Sequence, residues 1–175
     1  MLTVEPVVGE TKQRGGAWET HALFRDGAAV GRIALFPSNR LRATPPSLVD
    51  IDGSRYEGRI VDRGKPRWTW VPARWILCRD GSERHRAERR GARDFEVETP
   101  ETAQPLRFSR PRWRLDFTLA AADGTLWASA TLVRRRLLPA LRLAHYQLNF
   151  AHDLPLSFQV FLAWIIVQDA IDERD

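Results

Sequence analysis

Residues 152–175 read HDLPLSFQVFLAWIIVQDAIDERD. From Leu154 to Val167 only Ser157 and Gln159 interrupt an apolar run that also carries Pro155. A bilayer span needs about 20 mostly apolar residues, and this run is shorter. Gln168, Asp169, Asp172 and Glu173 follow it in place of a basic stop-transfer cluster. Extending the span to Ile171 would put Asp169 in hydrocarbon, at roughly 2.5–3.5 kcal/mol. A membrane helix is therefore disfavoured. A helix is still expected, because Asp153 suits an N-cap and Pro155 falls in the first turn, where a missing N–H costs little. Phe158, Val160, Phe161, Leu162, Trp164, Ile165, Ile166 and Val167 then cover every sector of that helix. A surface helix keeps a polar stripe. One that is apolar all round must be enclosed, and with lipid disfavoured the enclosure is the chain's own strands.

Four Asp-Gly pairs announce those strands: Asp26-Gly27, Asp52-Gly53, Asp80-Gly81 and Asp123-Gly124. Both central residues of a type I′ turn need positive φ, which aspartate tolerates and glycine accepts freely. WETHALFR precedes the first pair and AAVGRIALF follows it; SLVDI and SRYEGRIV flank the second, RWILCR and SERHRAER the third. Around the fourth, RWRLDFTLAAA leads into TLWASATLV. In WRLDFTL the residues Trp113, Leu115, Phe117 and Leu119 share one parity, the pattern of a half-buried strand. FEVET, AHYQLNF, RWTWV and PLRF add further strands. Proline-bearing segments between them (FPSNRLRATPPS, TPETAQP, FSRPR) read as loops. The expected fold is mainly β, a closed antiparallel barrel of about twelve strands around the hydrophobic C-terminal helix. An eight-stranded barrel holds only side chains, whereas a helix about 10 Å across needs a wider one. Residues 1–175 then form a single domain. Residues 1–15 are expected to be a poorly ordered or peripheral N-terminus, 16–151 the barrel and 153–171 the central helix.

Composition narrows the classes of function. The single cysteine, Cys78, excludes an internal disulfide. The N-terminal MLTVEPVVGETKQRGG lacks the basic start and apolar stretch of a signal peptide, so a cytoplasmic location is expected. Net charge is +5, and of 27 basic residues only Lys12 and Lys65 are lysine. That skew fits the GC-rich codon usage of a bacterium; it also fits arginine forks gripping phosphate or carboxylate. His21, His85, His145 and His152 show no metal spacing, and no G-x-S-x-G elbow, P-loop or dinucleotide fingerprint occurs. No metal, cofactor or reaction is expected, and nucleic acid is not expected as a partner.

YQLNFAHDLPLSFQVFLAWIIVQDAI, an alternating strand followed by an apolar helix, resembles the ending of the tubby C-terminal superfamily. That group includes the LURP-one-related proteins and the phospholipid scramblases. The likeness spans most of residues 18–171, though the acidic calcium segment and cysteine cluster of scramblases have no counterpart here. The resemblance implies a twelve-stranded barrel threaded by its last helix, and a surface that binds anionic lipid headgroups or a protein partner at the inner face of the membrane. Arg107, Arg110 and Arg112 before one strand and Arg134, Arg135 and Arg136 after its partner are the candidate residues, expected at one end of the same hairpin. Arg114 and Arg142 lie beside them in sequence. RDGSERHRAERRGARD, which mixes both signs of charge around a turn, reads as a solvated hairpin. An alternative is a lipocalin-like carrier with a hollow barrel, since Gly16-Ala17-Trp18 is similar to the G-x-W opening of that family.

Overall fold

The computed structural model describes residues 1–7, 19–35, 46–61, 74–91, 94–110, 116–138 and 141–172, with 134–138, 141–144 and 169–172 described through their backbone. The strands in chain order are β1 (Leu2–Pro6), β2 (Glu19–Arg25), β3 (Ala28–Leu35), β4 (Ser47–Ile51), β5 (Ser54–Val61) and β6 (Arg74–Arg79). β7 (Ser82–Arg89), β8 (Asp94–Glu98), β9 (Leu106–Ser109), β10 (Phe117–Ala120), β11 (Leu126–Leu138) and β12 (Leu141–Phe150) come next, and helix α1 (Leu156–Asp172) ends the order. Each strand pairs antiparallel with its sequence neighbours, and β1 closes the barrel on β12. Twelve strands around one helix is the expected architecture.

Alternation builds the wall. Inward positions are apolar and buried on almost every strand: Leu2 and Val4, Ile33 and Leu35, Val49 and Ile51, Trp75 and Leu77, Phe95 and Val97. Leu106 and Phe108, Phe117 and Leu119, Ala128 and Ala130, Tyr146 and Leu148 continue the lining. α1 fills the space they enclose, and every residue from Phe158 to Val167 is buried. Among the described residues, no helix is long and apolar enough to cross a membrane.

The N-terminal expectation needs correction. Residues 2–6 are β1, hydrogen-bonded to β2 over Leu2↔Arg25 to Pro6↔His21 and to β12 over Leu2↔Leu148 to Val4↔Tyr146. Without them the sheet would keep two open edges. Residues 8–15 lie outside the described part, as do Arg112, RWTWV and residues 113–115 of the expected strand.

Turn chemistry separates the four Asp-Gly pairs. Asp26, Asp52 and Asp80 have φ of 50°, 44° and 51°, and their glycines have φ of 83°, 74° and 75°, as type I′ hairpins require. At the fourth, Gly124 alone is positive at 87°, and the Asp123 carboxylate instead accepts a hydrogen bond from the Thr125 amide at 2.8 Å. The β10–β11 register shifts between Leu119 and Ala120, so this connection is longer and makes an Asx turn. Asp153 is also not the helix cap. Its side chain is exposed, 3.8 Å from Arg25, while the Pro155 carbonyl accepts from the Phe158 and Gln159 amides.

Candidate functional site

An up-and-down barrel sends its connections alternately to two ends. The three I′ hairpins, the 99–105 and 121–125 connections and the 151–155 lead into α1 join strand ends at one end, here the turn pole. Those segments contain Asp26, Asp52, Asp80, Glu101, Asp123 and Asp153, with no lysine or arginine. Segments 7–18, 36–46, 62–73, 90–93 and 110–116 join strand ends at the other, where β11 and β12 also meet. Together with residues 134–144 they contain sixteen lysines and arginines against Glu10, Asp62 and Asp116. α1 enters at the turn pole and ends at this basic pole with Asp169 and Asp172. At the turn pole Asp26, Asp80 and Asp153 are matched by the Met1 amine at 3.0 Å, Arg79 at 3.6 Å and Arg25 at 3.8 Å, so the unbalanced charge of the connections is the positive charge of the basic pole.

The candidate arginines divide by position. Arg134, Arg135 and Arg136 do not come after a finished strand, which corrects that expectation: β11 runs on to Leu138, and they pair with His145, Ala144 and Leu143 of β12. The continued pairing with β12 keeps the arginines in extended backbone. Arg110, just past β9, is at the same pole, because Ser109 pairs with Thr118 and Phe117 pairs with Ala130. Its guanidinium is buried, 5.5 Å from the Phe117 ring centroid. Arg107 lies on the outer wall, where its guanidinium donates to Asp94 at 2.9 Å. Arg112 is outside the described residues.

Behind Arg110 runs a belt of aromatic rings on the inner wall. Centroids are 5.2 Å apart for Trp75–Phe95, 6.1 Å for Phe95–Phe108, 5.0 Å for Phe108–Phe117 and 6.5 Å for Phe117–Tyr146. Arg89 sits 5.2 Å over both Trp75 and Phe95. Ring faces attract guanidinium, so Arg89 and Arg110 roof the core with their planes while their chains cover its apolar edge.

The fold assembles a polar cluster, marked by no sequence motif, at the mouth where α1 enters. His85 of β7 is buried; its Nε2 shares a hydrogen bond with Ser157 Oγ at 3.1 Å, and its Nδ1 one with Thr99 Oγ1 at 3.1 Å. The Glu101 carboxylate is 3.9 Å away, and the Phe158 and Phe161 rings flank the imidazole at 5.3 and 5.6 Å. Burial, with the nearby Arg84 charge, pushes His85 down to about 4. A neutral imidazole here ties wall to helix across 72 residues of sequence. The Gln159 side chain helps by donating to the Leu154 carbonyl at 2.7 Å. A second buried pair, His21 Nε2 to Glu19 Oε1 at 2.9 Å, sits on β2 at the basic pole. Parity was the available signal: His85 shares its face with Ala87, and Glu19 and His21 share theirs with Leu23.

Outside the wall, a groove of about 800 Å³ runs along β8, β9 and β10 over Ser109 and Ala120. Its charges are matched, Arg107 with Asp94 and Arg90 with Glu96 at 3.0 Å. Among the described residues, no three His, Cys, Asp or Glu side chains gather as metal ligands. Compared with protein-family models, with characterised proteins and with solved structures, the chain matches none.

Proposed function

We propose that this is a tubby-like, non-catalytic barrel that docks on anionic membrane surfaces through its basic pole. The observation that carries the reading is the partition of charge: bases crowd the sequence joining strands at one end, acids the other. A negative lipid surface attracts each nearby Lys or Arg by about 1 kcal/mol, falling off within a Debye length. A molecule charged in this way approaches with its axis along the membrane normal. The closed twelve-stranded wall and the apolar helix inside it support the tubby-like assignment. α1 side chains occupy the space that a hollow carrier would offer its ligand.

Vesicle flotation tests the reading. The protein should float with phosphatidylcholine vesicles containing phosphatidylglycerol and not with phosphatidylcholine alone. Binding should weaken steeply as salt is raised, and changing Arg134, Arg135 and Arg136 together to Ser should abolish it. Equal binding to both vesicles, or none to either, would remove the proposal.

A further inference from the structure

Five cross-strand pairs, from Arg134↔His145 to Leu138↔Leu141, continue the β11–β12 ladder past the rows that close the barrel. The last described partner of β11 on its other side is Phe117 at Ala130, and that of β12 is Val4 at Tyr146. β1 runs beside the ribbon as far as Pro6, with Glu5 Oε1 3.5 Å from His145 Nε2. Among the described residues it is therefore the outer rows, from Arg136↔Leu143 to Leu138↔Leu141, that carry the ribbon beyond both neighbours, by roughly 10 Å. A bulge between Leu132 and Arg134 marks its root and leaves Val133 exposed. Such bulges bend a strand and re-aim the residues beyond them. Along the ribbon the sequence is graded. Arg134, Arg135 and Arg136 occupy the proximal rows and Arg142 the next, while Leu138↔Leu141 forms the outermost pair, joined by the uncharged Pro139-Ala140.

We propose that this hairpin is a membrane-entering tip: Leu137, Leu138 and Leu141 seat at the headgroup–acyl boundary of an anionic bilayer, while Arg134, Arg135, Arg136 and Arg142 hold lipid phosphates around its base. The inference rests on the anionic-surface reading and adds depth and orientation to it. Charge alone gives salt-labile attachment, and stable anchoring takes a basic patch combined with an apolar element. The ribbon brings the two together in that order along its length. A broad lipid surface fits better than an acidic groove on a protein, because the basic segments are spread round the whole pole. Entry is shallow. The ribbon's outer edges carry backbone groups that hydrocarbon cannot satisfy, so the tip stops at the boundary.

The test labels the full-length chain at one end or the other. Cys78, the single cysteine, is replaced by Ala, and Leu138→Cys or Asp123→Cys carries an environment-sensitive fluorophore. Vesicles are phosphatidylcholine with phosphatidylglycerol, with or without lipids bearing a shallow acyl-chain quencher. The label at 138 should shift to the blue and be quenched, and the label at 123 should do neither. In parallel, the unlabelled chain with native Cys78 is assayed by flotation, which keeps the test independent of the cysteine replacement. Leu138→Ser with Leu141→Ser should lower affinity about tenfold and leave the salt dependence unchanged. Arg134→Ser, Arg135→Ser and Arg136→Ser should each cost about fivefold and flatten that dependence. Salt-sensitive binding with the 138 label still in water would overturn insertion while leaving the electrostatic reading intact. Failure of wild type to bind anionic vesicles would overturn both.

Discussion

Gly58 of β5 faces the indole of Trp164 in α1: a Cβ built on Gly58 would lie 2.7 Å from Cζ2 and 2.8 Å from Cε2 of that ring. The wall gives up a side chain so that the largest residue of the helix can sit flush against backbone. Gly58→Ala should therefore destabilise by about 1–3 kcal/mol, as overpacked cores do. Trp164→Phe removes the atoms that the new methyl would strike, and the buried indole N–H has no partner to lose. In a denaturation cycle, the double variant should be more stable than the summed single effects by about 1 kcal/mol or more. Strict additivity would mean that the two positions do not touch.

His85 should make stability depend on pH in a defined window. Its ordinary value is 6.5 and its folded value about 4, so between these the unfolded chain binds a proton that the folded chain refuses. Stability is unaffected by this group above pH 6.5, falls as pH drops from 6.5 towards 4, and levels off below. The linkage amounts to roughly 3 kcal/mol. His85→Asn should flatten that part of the profile. Urea denaturation of both proteins at closely spaced pH values isolates the difference from the carboxylates, which titrate in both.

The two described candidate arginines outside the hairpin should separate into two behaviours. Arg110, buried over Phe117, belongs to the core roof. Arg110→Ala should cost about 1–2 kcal/mol through lost packing and cation–π contact, with vesicle affinity within twofold of wild type. Arg107→Ala breaks only an exposed pair with Asp94 and should change stability by less than about 1 kcal/mol. Thermal denaturation beside flotation checks both, and a large loss of vesicle binding from Arg110→Ala with an unchanged melting curve would contradict the division.

The range of the forces involved decides how much of the fold was legible in the sequence. The apolar helix could be read because no polar stripe exists between Phe158 and Val167, and three hairpins because Asp-Gly encodes positive φ locally. β1 escaped because barrel closure is a relationship between Leu2–Pro6 and a strand some 140 residues away, as in Leu2↔Leu148, and five residues carry little pattern of their own. The extension of β11 escaped because three arginines in a row look like a loop, whereas pairing with β12 holds them in a strand. His85 was visible by parity but not by chemistry. Its partners Thr99 and Ser157 come from a turn and from α1, and only the closed barrel brings them together.

The central claim is that α1 is the core of a barrel that meets lipid at the opposite end from where the helix enters. Hydrogen exchange read by mass spectrometry, in buffer and then with phosphatidylglycerol-containing vesicles, tests it most directly. Peptides covering residues 156–168 should be among the slowest to exchange in buffer and unchanged by vesicles, while those covering 131–145 should gain protection only when vesicles are added. Rapid exchange of α1 in buffer, with protection appearing only on vesicles, would show the helix to be a membrane element and contradict the account.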